Sequence, residues 1–430
     1  MLFRSSAARE SHAHYALVEA RLQSRKGLAL LSNLVDGPVR WRNELELQSL
    51  LAWAEYALKG EGASEVWEAS LRVRALCDQL DDRSHLGDVL DMQGIYHAAK
   101  QEYAAALRVA RDLLQLAREQ NDAVREVNAY LLVGRASHCL GEFSRAVSHF
   151  ERALSVRVSE VNPSRDFFGR TLATGPYQAI ASSYLGVDLL ILGYLDQAVA
   201  RCNQALLSAR KANHPYGLVI ALAFASGVDR LRGALTSSFE FLTELATLAR
   251  QQRLPLFCRV AEVGLGMNLS LRGKATEGLA RARHAVAEYA TVPGQQPLLS
   301  LAICCEGAGE VDEALRLLDR ELEVTNATGE RLYEAEVHRL KGEWLLAHRP
   351  ARSAEAEDCY QHALAVARKQ QAKFWELRTS ISLARLWRDQ GKRSEARELL
   401  ASIYGWFTEG LDTPVLREAK ALLDELTESR

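Results

Sequence analysis

Apolar residues recur along the chain at three- and four-residue intervals, in blocks a few helical turns long separated by short polar or glycine-bearing breaks. This is the period of amphipathic helices, and Val and Ile nowhere alternate over a sustained run as they would in strands. The spacing predicts a helix over 5–31, stopped by Asp36-Gly37-Pro38, and another over 44–59, closed by Lys59-Gly60-Glu61-Gly62. The next begins near Ala63, and its Trp67-Glu-Ala-Ser-Leu71-Arg-Val foreshadows Tyr103-Ala-Ala-Ala-Leu107-Arg-Val.

The segment Val127–Ser159 holds two helices in one uninterrupted copy. Small residues (Gly134, Ala146, Ala153) stand where the helices must approach, large ones (Val133, Phe143, Phe150, Leu154) stand between them, and Gly141 marks the turn. Registered on the small residue of the first helix, the chain repeats at Gly94, Gly134, Gly186, Ser226, Gly266, Ala302, Gly342 and Ala384, with spacings of 40, 52, 40, 40, 36, 40 and 42 residues. Turn glycines Gly141, Gly193, Gly233, Gly273, Gly309 and Gly391 follow in the same register. The pattern resembles a tetratricopeptide repeat, with a period near 40 in place of the standard 34 and correspondingly longer helices. No unit can bury its apolar face alone, so neighbours must stack. The expected architecture is all-α, a TPR-like α-solenoid wound as a right-handed superhelix of about eight to ten helix pairs. It runs as one body over 1–430, with degenerate repeats over 1–86, regular repeats over 87–403 and a capping helix within 404–430.

Two places depart from the period. The long interval places an insertion at 156–178, VRVSEVNPSRDFFGRTLATGPYQ, whose Phe167, Phe168 and Tyr177 read either as a ligand contact or as plugs in a longer connection. The short interval falls near 287–297, a tight connection. At the end, Thr413 and Pro414 suit the start of a last helix, and Tyr404, Trp406 and Phe407 form an aromatic plug before it.

Beyond the generic repeat, His338–Glu343 (HRLKGE), Leu383–Gly391 (LARLWRDQG) and Tyr404–Pro414 (YGWFTEGLDTP) carry a narrower likeness, joined upstream by Leu192–Ala198 and Asn213–Tyr216. With these, Ala335–Leu426 resembles the C-terminal TPR region of bacterial proteins that fuse an adenylate/guanylate cyclase and a STAND or AAA-like ATPase to a superhelix similar to that of maltose regulators. The resemblance implies a regulatory superhelix that senses a ligand or partner and controls an attached or associated signalling module. The catalytic modules have no counterpart here: no Walker A loop, no cyclase aspartate pair and no helix-turn-helix after the last repeat. The chain therefore reads as an excised domain or a short gene product.

Composition narrows the chemistry. A net charge of -2 and a pI of 6.6 argue against a general nucleic-acid binder. The 53 basic residues include only 10 Lys, so 43 Arg forks decorate the helices, suiting ion pairs or anion recognition. Seven cysteines with no CxxC fit small core residues in a reducing, cytoplasmic setting. The apolar run over 217–228 is too short for a membrane span. No histidine stands in metal-ligand spacing, and no nucleophile, carboxylate pair or phosphate loop is recognisable, so neither enzyme, metal nor cofactor is expected.

Candidate contacts come from repeat geometry. First-helix positions that alternate with the packing residues face the concave wall: Asp88, Asp91, Asn128, Arg135, His138, Ile180, Val187, Arg230, Met267, Arg339, Glu343, Arg385 and Arg388. Of these, Arg135, His138, Arg230 and Arg339, with Phe167, Phe168 and Tyr177 of the insertion, are the expected ligand or partner contacts; the charged ones alternatively pair with acids of neighbouring repeats. The expected function is a non-enzymatic scaffold that binds a protein or peptide in its groove. The alternative is a small-molecule sensor closed by the insertion.

Overall fold

The structure, a computed structural model, describes residues 17–31, 33–60, 62–83, 85–157, 176–289 and 297–428, and these form twenty α-helices and no strand. A leading helix, α1 (Leu17–Leu31), is followed by nine pairs. The pairs are α2 (Pro38–Lys59) with α3 (Ser64–Leu80), α4 (Leu86–Ala99) with α5 (Tyr103–Gln120), α6 (Ala123–Cys139) with α7 (Phe143–Ser155), and α8 (Pro176–Leu192) with α9 (Leu195–Lys211). Next come α10 (Pro215–Leu231) with α11 (Leu235–Gln251), α12 (Pro255–Leu271) with α13 (Ala275–Glu288), and α14 (Leu298–Gly307) with α15 (Val311–Thr328). The last are α16 (Glu334–His348) with α17 (Ser353–Lys369) and α18 (Lys373–Asp389) with α19 (Arg393–Tyr404), before the terminal α20 (Pro414–Glu428). This is an all-α solenoid of TPR-like repeats. Most of the insertion, including Phe167 and Phe168, lies outside the described residues, as does the connection over 290–296.

One pair shows why these residues fold this way. The Asp122 carboxylate accepts from the N–H groups of Val124 and Arg125 at 3.0 and 3.1 Å and opens α6. Gly141, at φ 73°, closes it: its N–H donates to His138 O at 3.1 Å and the Glu142 N–H to Ser137 O at 2.9 Å, the paired bonds of a Schellman turn. Helix α7 then buries Phe143, Ala146, Phe150 and Ala153 completely, a stripe at intervals of three and four. A Cβ on Gly134 would stand 2.6 Å from the Phe150 ring, so the two helices approach over hydrogen.

The same turn recurs at Gly193, Gly233, Gly273, Gly309 and Gly391, all with positive φ, and at Gln101, which holds the glycine's register at φ 61°. The connections between pairs use it too, with non-glycine residues: Asn121, Asn213, Arg253 and Gln371 lie at φ between 49° and 58°. In the α16–α17 pair this register is broken; a short 3-10 turn, Pro350–Arg352, joins the helices.

The array curls far enough to meet itself. The Arg331 N–H donates to Cys139 O at 2.7 Å, and Gln370 Nε2 donates to Arg331 O at 2.8 Å. Glu330 accepts from Tyr103 Oη at 2.7 Å and Gln101 Nε2 at 2.9 Å. Nearer the end, the Glu409 carboxylate accepts from the N–H groups of Asp196 and Gln197 at 3.0 and 3.2 Å, capping α9 from more than two hundred residues away, while the Gly410 N–H donates to Asp196 Oδ2 at 3.1 Å. Trp406 lies edge-on to Tyr194, with centroids 5.4 Å apart. The aromatic plug thus seats on the α8–α9 turn as well as ending the array. Thr413 donates its hydroxyl to Gly410 O at 2.6 Å.

Two glycines test the spacing. A Cβ at Gly266 would sit 2.6 Å from Gly278 O, which is backbone, whereas one at Gly227 on α10 meets nothing within 4 Å. Gly266→Ala is expected to destabilise by about 1–3 kcal/mol, and Gly227→Ala to stabilise by up to about 1 kcal/mol through helix propensity. Urea midpoints of the two variants, moving in opposite directions from the parent, check this; a shift of the same sign would show that close approach does not set the packing.

Candidate binding groove

The first helix of each pair faces inward, and curling brings these helices around two adjoining cavities. The first, of about 340 Å³, takes its walls from α2 (Tyr56), α4 (Asp91, Ile95), α6 (Asn128, Leu131, Leu132, Arg135), α8 (Ile180, Tyr184), α10 (Tyr216, Ile220, Phe224) and α12 (Leu256, Phe257, Val260). Leu256 and Val260 also line the second, of about 420 Å³, with Arg230, Arg259, Val263, Met267, Leu298, Ser300, Ile303, Glu321, Glu330 and Tyr333 among its walls.

The first cavity is aromatic. Tyr184 lies between Phe150, stacked at 5.3 Å, and Phe224, tilted at 4.5 Å, with the Arg135 guanidinium 6.0 Å from its ring centre. At the other side Tyr216 Oη donates to Tyr56 Oη at 2.9 Å, which ties α10 to α2, and Tyr216 meets Phe257 edge-on at 5.6 Å. The polar groups are few. Asn128 Nδ2 donates to Asp91 Oδ2 at 2.8 Å, and its Oδ1, buried, has no hydrogen-bond partner among the described residues. Burial pushes the Asp91 carboxyl up to about 8 against the pull of the Asn128 amide. It is therefore largely protonated at neutral pH. Beside it, Arg125 spans Asp122 and, at 3.4 Å, buried Asp88.

Of the expected contacts, Arg135 lies on the first cavity and Arg230 on the second. His138 does not reach either wall: only 4% exposed, it shares a 2.6 Å hydrogen bond with Asp188, whose carboxyl burial raises while the imidazole pulls it down. Arg339 is likewise 5% exposed, its fork closed on Glu336 at 2.8 and 2.9 Å and on Glu343. Burial alone would raise the Glu336 carboxyl, yet Arg339 and Arg378 bring it down to about 2. Both residues are thus corrected from groove contacts to interior pairs: spacing placed them on the inner face, but Asp188 of α8 meets His138, and Glu336 and Glu343 of Arg339's own helix hold its guanidinium at that depth. Arg385 and Arg388 pair with Glu418 and Glu425 of α20. Tyr177 is buried at the start of α8, where its hydroxyl accepts from Gln178 Nε2 at 3.4 Å, and it lines neither cavity. Register reasoning missed Tyr184 and Phe224, which stand two residues before the small residues Gly186 and Ser226, as Leu132 does before Gly134. The signal was an aromatic at a fixed offset.

Among the described residues no group of three or more His, Cys, Asp or Glu is placed to hold a metal, and no helix is long and apolar enough to cross a membrane. All seven cysteines are free thiols.

The fold and groove define a TPR-like helical-repeat protein. Sequence comparison agrees over one unit: a family profile described as "Tetratricopeptide repeat" matches residues 298–332. Comparison with curated proteins returns no match. Among solved structures, a Rap protein complexed with Competence and Sporulation Factor is similar with a TM-score of 0.61 at 10% identity, over 86% of this chain and 98% of that one. A Rap conjugation gene regulator of the plasmid pLS20 in complex with the Phr* peptide has a TM-score of 0.49 at 14% identity, covering 91% and 97%. The human IFIT1 dimer with m7Gppp-AAAA has a TM-score of 0.46 at 14% identity, covering 92% and 88%. The first shows a shared fold.

The raised Asp91 carboxyl has a consequence for stability. Its folded value lies above the usual carboxylate range, so the folded chain holds a proton that the unfolded chain has lost between roughly pH 4 and 8. The stability due to this group is present in acid and is lost as pH rises towards 8. Asp91→Asn keeps the shape without the titration, so its thermal midpoint relative to the parent is expected to rise from pH 5 to pH 8. A difference that does not change with pH would show that Asp91 is charged in the folded chain.

Proposed function

We propose that the chain is a non-enzymatic scaffold that holds an extended peptide, or the peptide-like edge of a protein partner, against its inner helices. One observation carries this reading: side chains of six successive inner helices, α2 to α12, converge on one aromatic cavity with isolated polar groups. Apolar side chains of a guest suit Tyr184, Phe224 and Phe257, and the Asn128 amide offers an acceptor that a peptide N–H fits. Arg135, partly exposed above Tyr184, suits an acidic side chain. The cavity has room for a few side chains and not for a folded domain. The Rap protein of the same fold is in complex with the Competence and Sporulation Factor, which adds support by analogy alone.

The likeness of Ala335–Leu426 to the TPR end of cyclase and ATPase fusions supports a regulatory role, in which occupancy of the groove controls an attached or associated nucleotide-using module in the cytoplasm. A second reading, a small-molecule effector site, is favoured by the volume of the two cavities, which lies within the range of ligand pockets.

Val260, 39% exposed at the junction of both cavities, accepts a charge without burying it. Panning a random heptapeptide library against the parent is expected to enrich peptides that bind Val260→Arg and Phe224→Ala at least tenfold more weakly, about 1.4 kcal/mol, with circular dichroism matched. Enrichment of nothing, or peptides held equally by both variants, would exclude the groove as a peptide site. A small mass lost between native and denaturing mass spectrometry would turn the assignment to the second reading.

A further inference from the structure

The second cavity differs from the first in its charge. The Arg230 guanidinium, partly buried on its wall, makes no hydrogen bond and no ion pair among the described residues. Burial disfavours its charge; Tyr333 and the Glu336 carboxylate offset part of that at a distance, while the guanidinium of Arg378 adds repulsion. Arg378 itself is taken by Glu336, which it meets at 2.9 Å while Glu336 also holds Arg339. The second guanidinium of the wall, Arg259, is 4% exposed and donates to Tyr289 O at 3.4 Å. Two acids stand on the same wall. Glu330 accepts from Gln101 and Tyr103, and burial pushes the Glu321 carboxyl up to about 7, so that much of it is neutral at physiological pH. Neither of them meets Arg230 as an ion pair. The first residues of α14, Leu298 to Ser300, complete the wall, and the leading N–H groups of a helix have no acceptor within it. Around these polar groups the lining is apolar: Leu256, Val263, Met267 and Ile303.

A guanidinium partly withdrawn from water and left without an ion pair loses part of its hydration, and a planar anion restores two parallel hydrogen bonds to it. We propose that the second cavity binds a carboxylate carried on an apolar chain, with Arg230 as its anion contact. The C-terminal carboxylate of a groove-bound peptide meets this description, because the two cavities share Leu256 and Val260 and a single extended guest crosses from one to the other. That source rests on the peptide reading above. A free amphiphilic carboxylate shares the chemistry without needing it.

The test uses the full chain, Arg230→Gln and Arg230→Lys, each checked by circular dichroism. A heptapeptide library is made twice, with free-acid and with amidated C-termini, and affinity selection is read by mass spectrometry; decanoate binding is measured separately by calorimetry. The parent is expected to retain free-acid peptides at least tenfold over amides, Arg230→Gln to remove that preference while holding amides as before, and Arg230→Lys to keep part of it. Acid and amide held alike, with decanoate binding absent or unchanged in Arg230→Gln, would overturn the proposal while leaving the peptide reading standing. Arg230-dependent decanoate binding with no peptide retained would support the carboxylate site, assign it to a small amphiphile and remove the peptide reading.

Discussion

The structure depends on how closely two helices of one pair can approach. At Gly134, Gly186, Gly266 and Gly342 a side chain would run into the partner helix, and after all but the last a left-handed turn seven residues later returns the chain antiparallel at that separation. The two devices recur along most of the array, and in stacked repeats small rotations between units sum to a curl. After a few pairs the turn of one unit lies over the turn of another. There Cys139 meets Arg331, and Asp196 meets Gly410 and Glu409. A spacing of ångströms inside a pair thus decides whether the inner wall is an open trough or a ring around cavities.

The inner wall also sorts its charges. Most inward arginines find acids on their own helix or on a neighbour: Arg125 with Asp122 at its own helix start and Asp88 of α4, Arg339 with Glu336 and Glu343 of its own α16, Arg388 with Glu425 of α20. Removing one partner of a buried pair, Arg125–Asp88 or Arg339–Glu336, strands the other charge away from water. Against this background Arg230 differs, because neither acid of its wall, Glu321 or Glu330, meets it as an ion pair. Asp91 differs in the opposite sense, answering burial by holding its proton rather than finding a cation. The groove's distinct chemistry lies in these two departures.

The all-α class, the forty-residue period and the six turn glycines were legible in the sequence, because each rests on a local requirement: helical spacing, close approach or positive φ. The turns at Asn121, Asn213, Arg253 and Gln371 were not legible, since these residues adopt the left-handed conformation only under the pull of the Schellman bonds around them. Candidate contacts divided in a similar way. Register assigned a face of the helix, and on that basis Arg135 and Arg230 reach cavities. It could not assign depth or neighbours, so His138 and Arg339 were placed on the wall when Asp188 and Glu336 hold them beneath it. Tyr194 and Trp406 stand more than two hundred residues apart, and no local pattern reports that they touch.

Closure has a further effect on any guest. The first cavity is built from α2 through α12, and the Tyr56–Tyr216 hydrogen bond ties the first of these helices to a later one across it. A molecule that touches both sides adds its binding free energy to the contacts that hold the curl, and a curl that opens takes those walls apart. Occupancy and curvature are therefore linked by mass action: whatever binds the curled state better shifts the array towards it by that difference in affinity and no more. The ends of the array feel this shift most, because rotations summed over many pairs are largest there. The terminal aromatic plug and Glu409 dock on the α8–α9 turn, so the C-terminal end reports on the geometry of the middle.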